Sequence, residues 1–104
     1  MTTYPGLLDH NMSHTWMLFP FGWARYGDWP DIAACRAPSP LLVQYDLQDN
    51  LFSETGMRDA HARLQHLYAS VGSPESYTGQ FYPGPHKFDL EMQFEAFTWL
   101  KQQI

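Results

Sequence analysis

The chain is poor in cysteine, in positive charge and in long apolar runs, and each shortage removes a class of function. A single cysteine, Cys35, allows no internal disulfide and fits a reducing, cytoplasmic setting. Six Lys and Arg against eleven acidic residues leave a formal charge of −5, with no basic cluster. That balance argues against nucleic acid and against anionic membrane surfaces as partners. No segment approaches the roughly 20 apolar residues needed to cross a bilayer. The first residues also lack the charged and then apolar pattern of a secretory signal. Neither a repeat nor a cofactor-binding fingerprint is present, so no cofactor is expected.

Aromatic residues are plentiful, at 16% of 104 positions. A chain of this length makes one domain and buries only about 65% of its unfolded surface, so large rings can fill the core or stay exposed where a partner should sit. Residues 1–30 mix Gly, Pro, His and aromatics without a period, and they read as an irregular aromatic N-terminal arm. The run Trp16–Phe21, interrupted by Pro20, suits an extended strip. The region 31–104 reads as a βαβα unit. A short helix over Trp29–Cys35, opened by Pro30 or Asp31, leads through Pro38-Ser39-Pro40 into Leu41–Tyr45. That continuous apolar run has the character of a buried parallel strand.

Ser53 or Thr55 can cap the next helix, on which Met57, Ala60, Leu64, Leu67 and Val71 recur at steps of three and four. This stripe is expected in the core, and Gly72 with Pro74 ends the helix. The segment Ser76–Tyr82 forms the second strand, and Pro83-Gly84-Pro85 turns the chain towards His86. Asp89 caps a last helix whose inward face is expected to be Gln93, Ala96, Phe97 and Leu100.

This order places Asp49 just after the first strand and His86 just after the second. Consecutive strands joined through a helix run parallel, so their C-terminal ends share one edge of the sheet. An acid and a histidine leaving neighbouring strands at that edge are expected to pair. Such a pair is the orienting half of a hydrolytic triad, in which the acid fixes the tautomer of an imidazole base. Asp46 competes for the role of the acid, although Asp49 sits further into the loop. The third member, a nucleophile within G-x-S-x-G, is missing. Cys35 belongs to the expected helix that ends before Pro38, Ser39 lies between two prolines, and Ser53 opens a helix but lacks flanking glycines, so none makes a sharp nucleophile turn. Cys35 is expected to be buried or neutral. His10 and His14 stand four apart, as two ligands on one helix face do, but no glutamate or third ligand follows, so no metal is expected. His61 and His66 are expected in solvent.

From about His10 to Leu100 the chain resembles the C-terminal third of α/β-hydrolases, in the branch of dienelactone hydrolases and acetyl xylan esterases. The resemblance is carried by Tyr26-Gly27-Asp28-Trp29-Pro30-Asp31-Ile32 and Ala37-Pro38-Ser39-Pro40-Leu41-Leu42-Val43. It continues through Asp49-Asn50-Leu51-Phe52, Tyr68-Ala69-Ser70-Val71-Gly72, Pro83-Gly84-Pro85-His86-Lys87-Phe88 and Ala96-Phe97-Thr98-Trp99-Leu100. It implies that Asp49 stands at the triad acid and His86 at the triad histidine, on the last two strands of the sheet. Two positions depart from the pattern: Ser39 stands where the family has Arg, and Asp46 where it has Gly. The nucleophile elbow and oxyanion hole, which belong to the earlier part of that fold, have no counterpart here.

The expected architecture is therefore α/β, a partial α/β-hydrolase fold with two parallel strands and two long helices. The expected function is that of a truncated module holding an acid and a histidine but no nucleophile, not catalytic alone. The alternative is part of a carboxylic ester hydrolase whose serine comes from another chain, such as an N-terminal hydrolase fragment. A homodimer through the Leu41–Tyr45 edge is expected to complete the sheet, unless the aromatic arm covers that edge.

Overall fold

The computed structural model describes residues 1–6 and 22–104. The Trp16–Phe21 strip and the His10–His14 pair lie outside these residues. Five regular elements position the site. They are α1 (Trp29–Ala34), β1 (Leu41–Asp46), α2 (Glu54–Ser70), β2 (Tyr77–Tyr82) and α3 (Leu90–Gln103). Short 3-10 turns occupy Trp23–Arg25 and Pro74–Ser76.

The fold mixes helices with a parallel sheet of two strands, β1 beside β2. The register pairs Leu41 with Tyr77, Val43 with Gly79, Tyr45 with Phe81 and Asp46 with Tyr82. Because successive side chains alternate between faces, odd-numbered positions of both strands meet α2. Val43, Tyr45 and Tyr77 form one buried cluster with Met57, Leu64 and Tyr68. Tyr45 stacks on Phe81, its partner in register, with ring centroids 4.6 Å apart. The opposite face is more polar. There Gln44 Nε2 lies 3.2 Å from Gln80 Oε1, 3.0 Å from the Tyr82 hydroxyl and 2.9 Å from the Met92 carbonyl of α3. The Tyr82 hydroxyl also bonds the Glu95 carboxylate, and burial together with that carboxylate pushes its pKa up to about 12.

Helix α2 starts at Ser53, whose hydroxyl accepts from the Gly56 N–H at 3.1 Å. It stops before Gly72, which adopts φ +78, a conformation that glycine takes without strain. Met57, Ala60 and Leu64 are buried as the period requires, but the next inward position is Tyr68 rather than Leu67. Val71 lies beyond the helix and is exposed. The start of α1 also differs from the sequence expectation. Asp28 is its N-cap, with its carboxylate on the Trp29 N–H and the Asp31 carboxylate returning to the Asp28 N–H. Both oxygens of Asp28 further accept the Tyr4 N–H, at 3.0 and 3.1 Å, which ties the first residues to α1. Cys35 is exposed rather than buried. Among the described residues no helix is long and apolar enough to cross a membrane.

The inward face of α3 is not the expected one. Met92 is the buried residue, whereas Phe94, Phe97 and Leu100 are exposed. Apolar residues surround this helix, so its period alone does not select a face. The choice falls to the sheet, where Gln44 reaches the Met92 carbonyl.

Candidate functional site

Beyond Asp46 the two strands continue to hold each other through their loops. The Leu47 N–H donates to the Tyr82 carbonyl at 2.9 Å, and the Gln48 N–H donates to the Gly84 carbonyl at 3.0 Å. The Gly84 N–H returns to the Gln48 side-chain oxygen. Gly84 takes φ +107, which lets the loop reverse there. Residues 47–52 and 83–89 are thereby fixed side by side at the C-terminal edge of the sheet.

This clamp brings Asp49 and His86 together. Asp49 Oδ2 lies 2.8 Å from His86 Nδ1, and Asp49 Oδ1 accepts the Leu51 N–H at 2.7 Å. Asp49 is only 7% exposed, so both of its oxygens are fixed. The ionised carboxylate holds the proton on Nδ1 and leaves Nε2 as the free basic nitrogen. The His86 pKa is raised, first by the hydrogen bond to Asp49 and then by that residue's charge; burial opposes them, and the charge of Asp46 adds to the rise. The histidine side chain stays 69% exposed, so one member of the pair is rigid and buried while the other is accessible.

Asp46 does not bond to His86. Its Oδ2 accepts the Lys87 N–H at 3.0 Å, which anchors the residue after the histidine. Lys87 Nζ turns to Asp89, 2.8 Å away, beside the cap of α3. Of the two candidate acids, Asp49 therefore orients the ring and Asp46 holds the loop. No signal local to the sequence separates these tasks, because they depend on which oxygen faces which loop.

Asp46, Asp49 and His86 open into a hollow of about 260 Å³, walled on its apolar side by Phe52, Met57, Phe88 and Met92. Its volume is below the roughly 300–1,000 Å³ of most small-molecule pockets. Met1 also lines it, and its α-amino group senses both carboxylates. Burial lowers the pKa of this amine, while the carboxylates of Asp49 and Asp46 pull in the opposite direction. Among the described residues, none that lines the hollow is Ser, Thr or Cys. Ser53 is occupied as the helix cap, with its hydroxyl donating to the Gly6 carbonyl. Ser39 lies before β1, a strand's length from the pair. Cys35 follows α1, where its thiol meets the Asp31 carbonyl at 3.4 Å.

His61 is not simply solvated, as the sequence suggests, but is half-buried over the sheet. Its Nδ1 lies 2.8 Å from the Tyr77 hydroxyl, which in turn lies 2.9 Å from the Tyr45 hydroxyl. Burial, followed by the charge of Arg58, lowers its pKa. Its partner lies 16 residues away on β2, a contact that helix periodicity does not reveal. His66 is exposed on α2.

Compared with known protein families, with curated proteins and with solved structures, the chain matches none.

Proposed function

We propose that this chain is an α/β-hydrolase-like module that carries the acid and histidine of a Ser–His–Asp triad without its nucleophile. The observation that carries the reading is the 2.8 Å contact between Asp49 Oδ2 and His86 Nδ1 at the shared C-terminal edge of β1 and β2. An acid on Nδ1 leaves Nε2 to act as general base, which is the division of labour in such triads. Asp49 is the orienting acid and His86 the base. Alone, the module is not an effective esterase, because acyl transfer also needs an activated hydroxyl and preorganised oxyanion donors. Loss of one such donor costs about 10²–10³ in rate.

Self-association belongs to the same proposal. Among the described residues β1 pairs with β2 alone, and an uncovered strand edge is a template for further pairing. A second copy across the Leu41–Tyr45 edge, related by a two-fold axis, would give a four-stranded sheet with two Asp49–His86 pairs at opposite ends. Two measurements on the purified chain test the proposal. Hydrolysis of a simple acetate ester should not exceed that of free imidazole at equal concentration, and sedimentation should show a dimer or a larger even-numbered assembly. Faster turnover that His86→Ala abolishes would overturn the first part, and a well-folded monomer at micromolar concentration the second.

One observation favours a second reading, in which the chain completes an ester hydrolase whose serine comes from another chain. The His86 ring remains mostly exposed beside an open hollow, where an incoming hydroxyl could reach Nε2. Fluorophosphonate labelling of a serine-bearing hydrolase fragment, present only when this chain is added and lost with His86→Ala, would support it.

A further inference from the structure

The Asp46 carboxylate is only half used. The residue is 8% exposed, its Oδ2 accepts the Lys87 N–H, and its Oδ1 is fully buried without a hydrogen-bond partner among the described residues. A buried carboxylate oxygen without a partner is left with its desolvation cost unmet, so it requires a reason. Asp46, Asp49 and His86 each place one ligand-capable atom such that all three lie within 4.8 Å of one another.

From this orphaned oxygen and the convergence around it, we propose that Asp46, Asp49 and His86 form a binding site for a zinc-class divalent cation. Two carboxylates and one imidazole suit zinc, whereas calcium and magnesium favour oxygen ligands throughout. Zinc bonds to nitrogen and oxygen at about 2.0–2.2 Å, so tetrahedral ligands stand roughly 3.3–3.6 Å apart. Asp49 Oδ2 and His86 Nδ1, 2.8 Å apart, must therefore part by roughly 0.5–0.8 Å, and any pair standing near 4.8 Å must close by on the order of 1 Å, movements to which the exposed His86 ring contributes by rotating. The ligating nitrogen must be unprotonated. If Nδ1 takes the ion, a neutral ring carries its proton on Nε2, and a cationic ring releases one proton to solvent. Either way the Asp49–His86 hydrogen bond is replaced by a shared metal, and one coordination position stays open.

The proposal does not rest on the hydrolase reading. It predicts that zinc and base chemistry at His86 exclude each other. The test is calorimetric titration of the full, chelator-treated chain with zinc chloride, alongside its thermal melting with and without zinc. The expected result is one ion per chain and a higher melting temperature. Loss of even outer-shell partners weakens metal sites by about 10–100-fold, so His86→Gln and Asp46→Asn should each cost at least about tenfold in affinity. His66→Gln, on the exposed face of α2, should change nothing. Absence of binding at millimolar zinc, or unchanged affinity in His86→Gln, would overturn the site. Full affinity in a folded Asp46→Asn variant would do the same. His86→Gln alters a largely exposed side chain, so it decides the matter even if Asp46→Asn fails to fold.

Discussion

Asp49 Oδ2 and His86 Nδ1 meet at 2.8 Å although the residues stand 37 positions apart. The intervening chain supplies a helix and a strand, and the parallel pairing of β1 with β2 returns His86 to the edge that Asp49 left. Loop-to-loop bonds at Leu47, Gln48 and Gly84 then fix the distance.

This pair has a pH signature. The folded-state pKa of His86 is raised, mainly by its hydrogen bond to Asp49. Its contribution to stability is thus complete below the ordinary imidazole value and fades as pH rises through the folded value. The urea midpoint of the parent chain minus that of Asp49→Asn should be larger at pH 6 than at pH 9. A difference that grows with pH would contradict the assignment. The exposed ring is screened, so the effect should be modest.

Tyr77→Phe should destabilise the fold by about 1–3 kcal/mol, because it strands a buried partner, Tyr45, and a half-buried one, His61. The Tyr77 hydroxyl links Tyr45 to His61, and without it both lose that hydrogen bond. Chemical denaturation gives the stability. A variant within experimental error of the parent would show that water replaces the hydroxyl.

Leu64 lies at the centre of the face that α2 turns to the sheet and is fully buried. Leu64→Ala should cost about 2–5 kcal/mol, for lost burial plus the cavity left behind. A cost below 1 kcal/mol in urea denaturation would mean that the helix does not pack as described.

Gly6 and Gly56 are in backbone contact. A Cβ on Gly56 would lie 2.7 Å from the Gly6 Cα, too close for any relaxed structure. Gly56→Ala should therefore lift the first residues from α2, lowering the melting temperature and exposing the amides of residues 2–6 to hydrogen exchange. Unchanged exchange there would place those residues elsewhere.

The features visible in the sequence were those with local causes. The apolar run Leu41–Tyr45 and the spacing of Met57, Ala60 and Leu64 announce β1 and α2, and the parallel rule alone brings Asp49 towards His86. The start of α1 was not read correctly from the sequence: Asp28, with Asp31 three residues on, caps a helix that begins at Trp29, rather than at Pro30 or Asp31. His61 and the outward face of α3 were not legible. The place of His61 depends on a Tyr on the far strand. The face of α3 was chosen by Gln44 and Tyr82, not by a helix that is apolar on several sides. The separate tasks of Asp46 and Asp49 likewise arise only once two loops have closed on each other.

The orientation of His86 by Asp49 is the central claim, and nitrogen-15 NMR of the His86 ring tests it most directly. Spectra recorded through a pH titration report which ring nitrogen holds the proton and the pKa of the ring. The account predicts a neutral ring protonated on Nδ1, with a pKa above the ordinary imidazole value that falls back in Asp49→Asn. A ring protonated on Nε2, with a pKa that Asp49→Asn leaves unchanged, would contradict it.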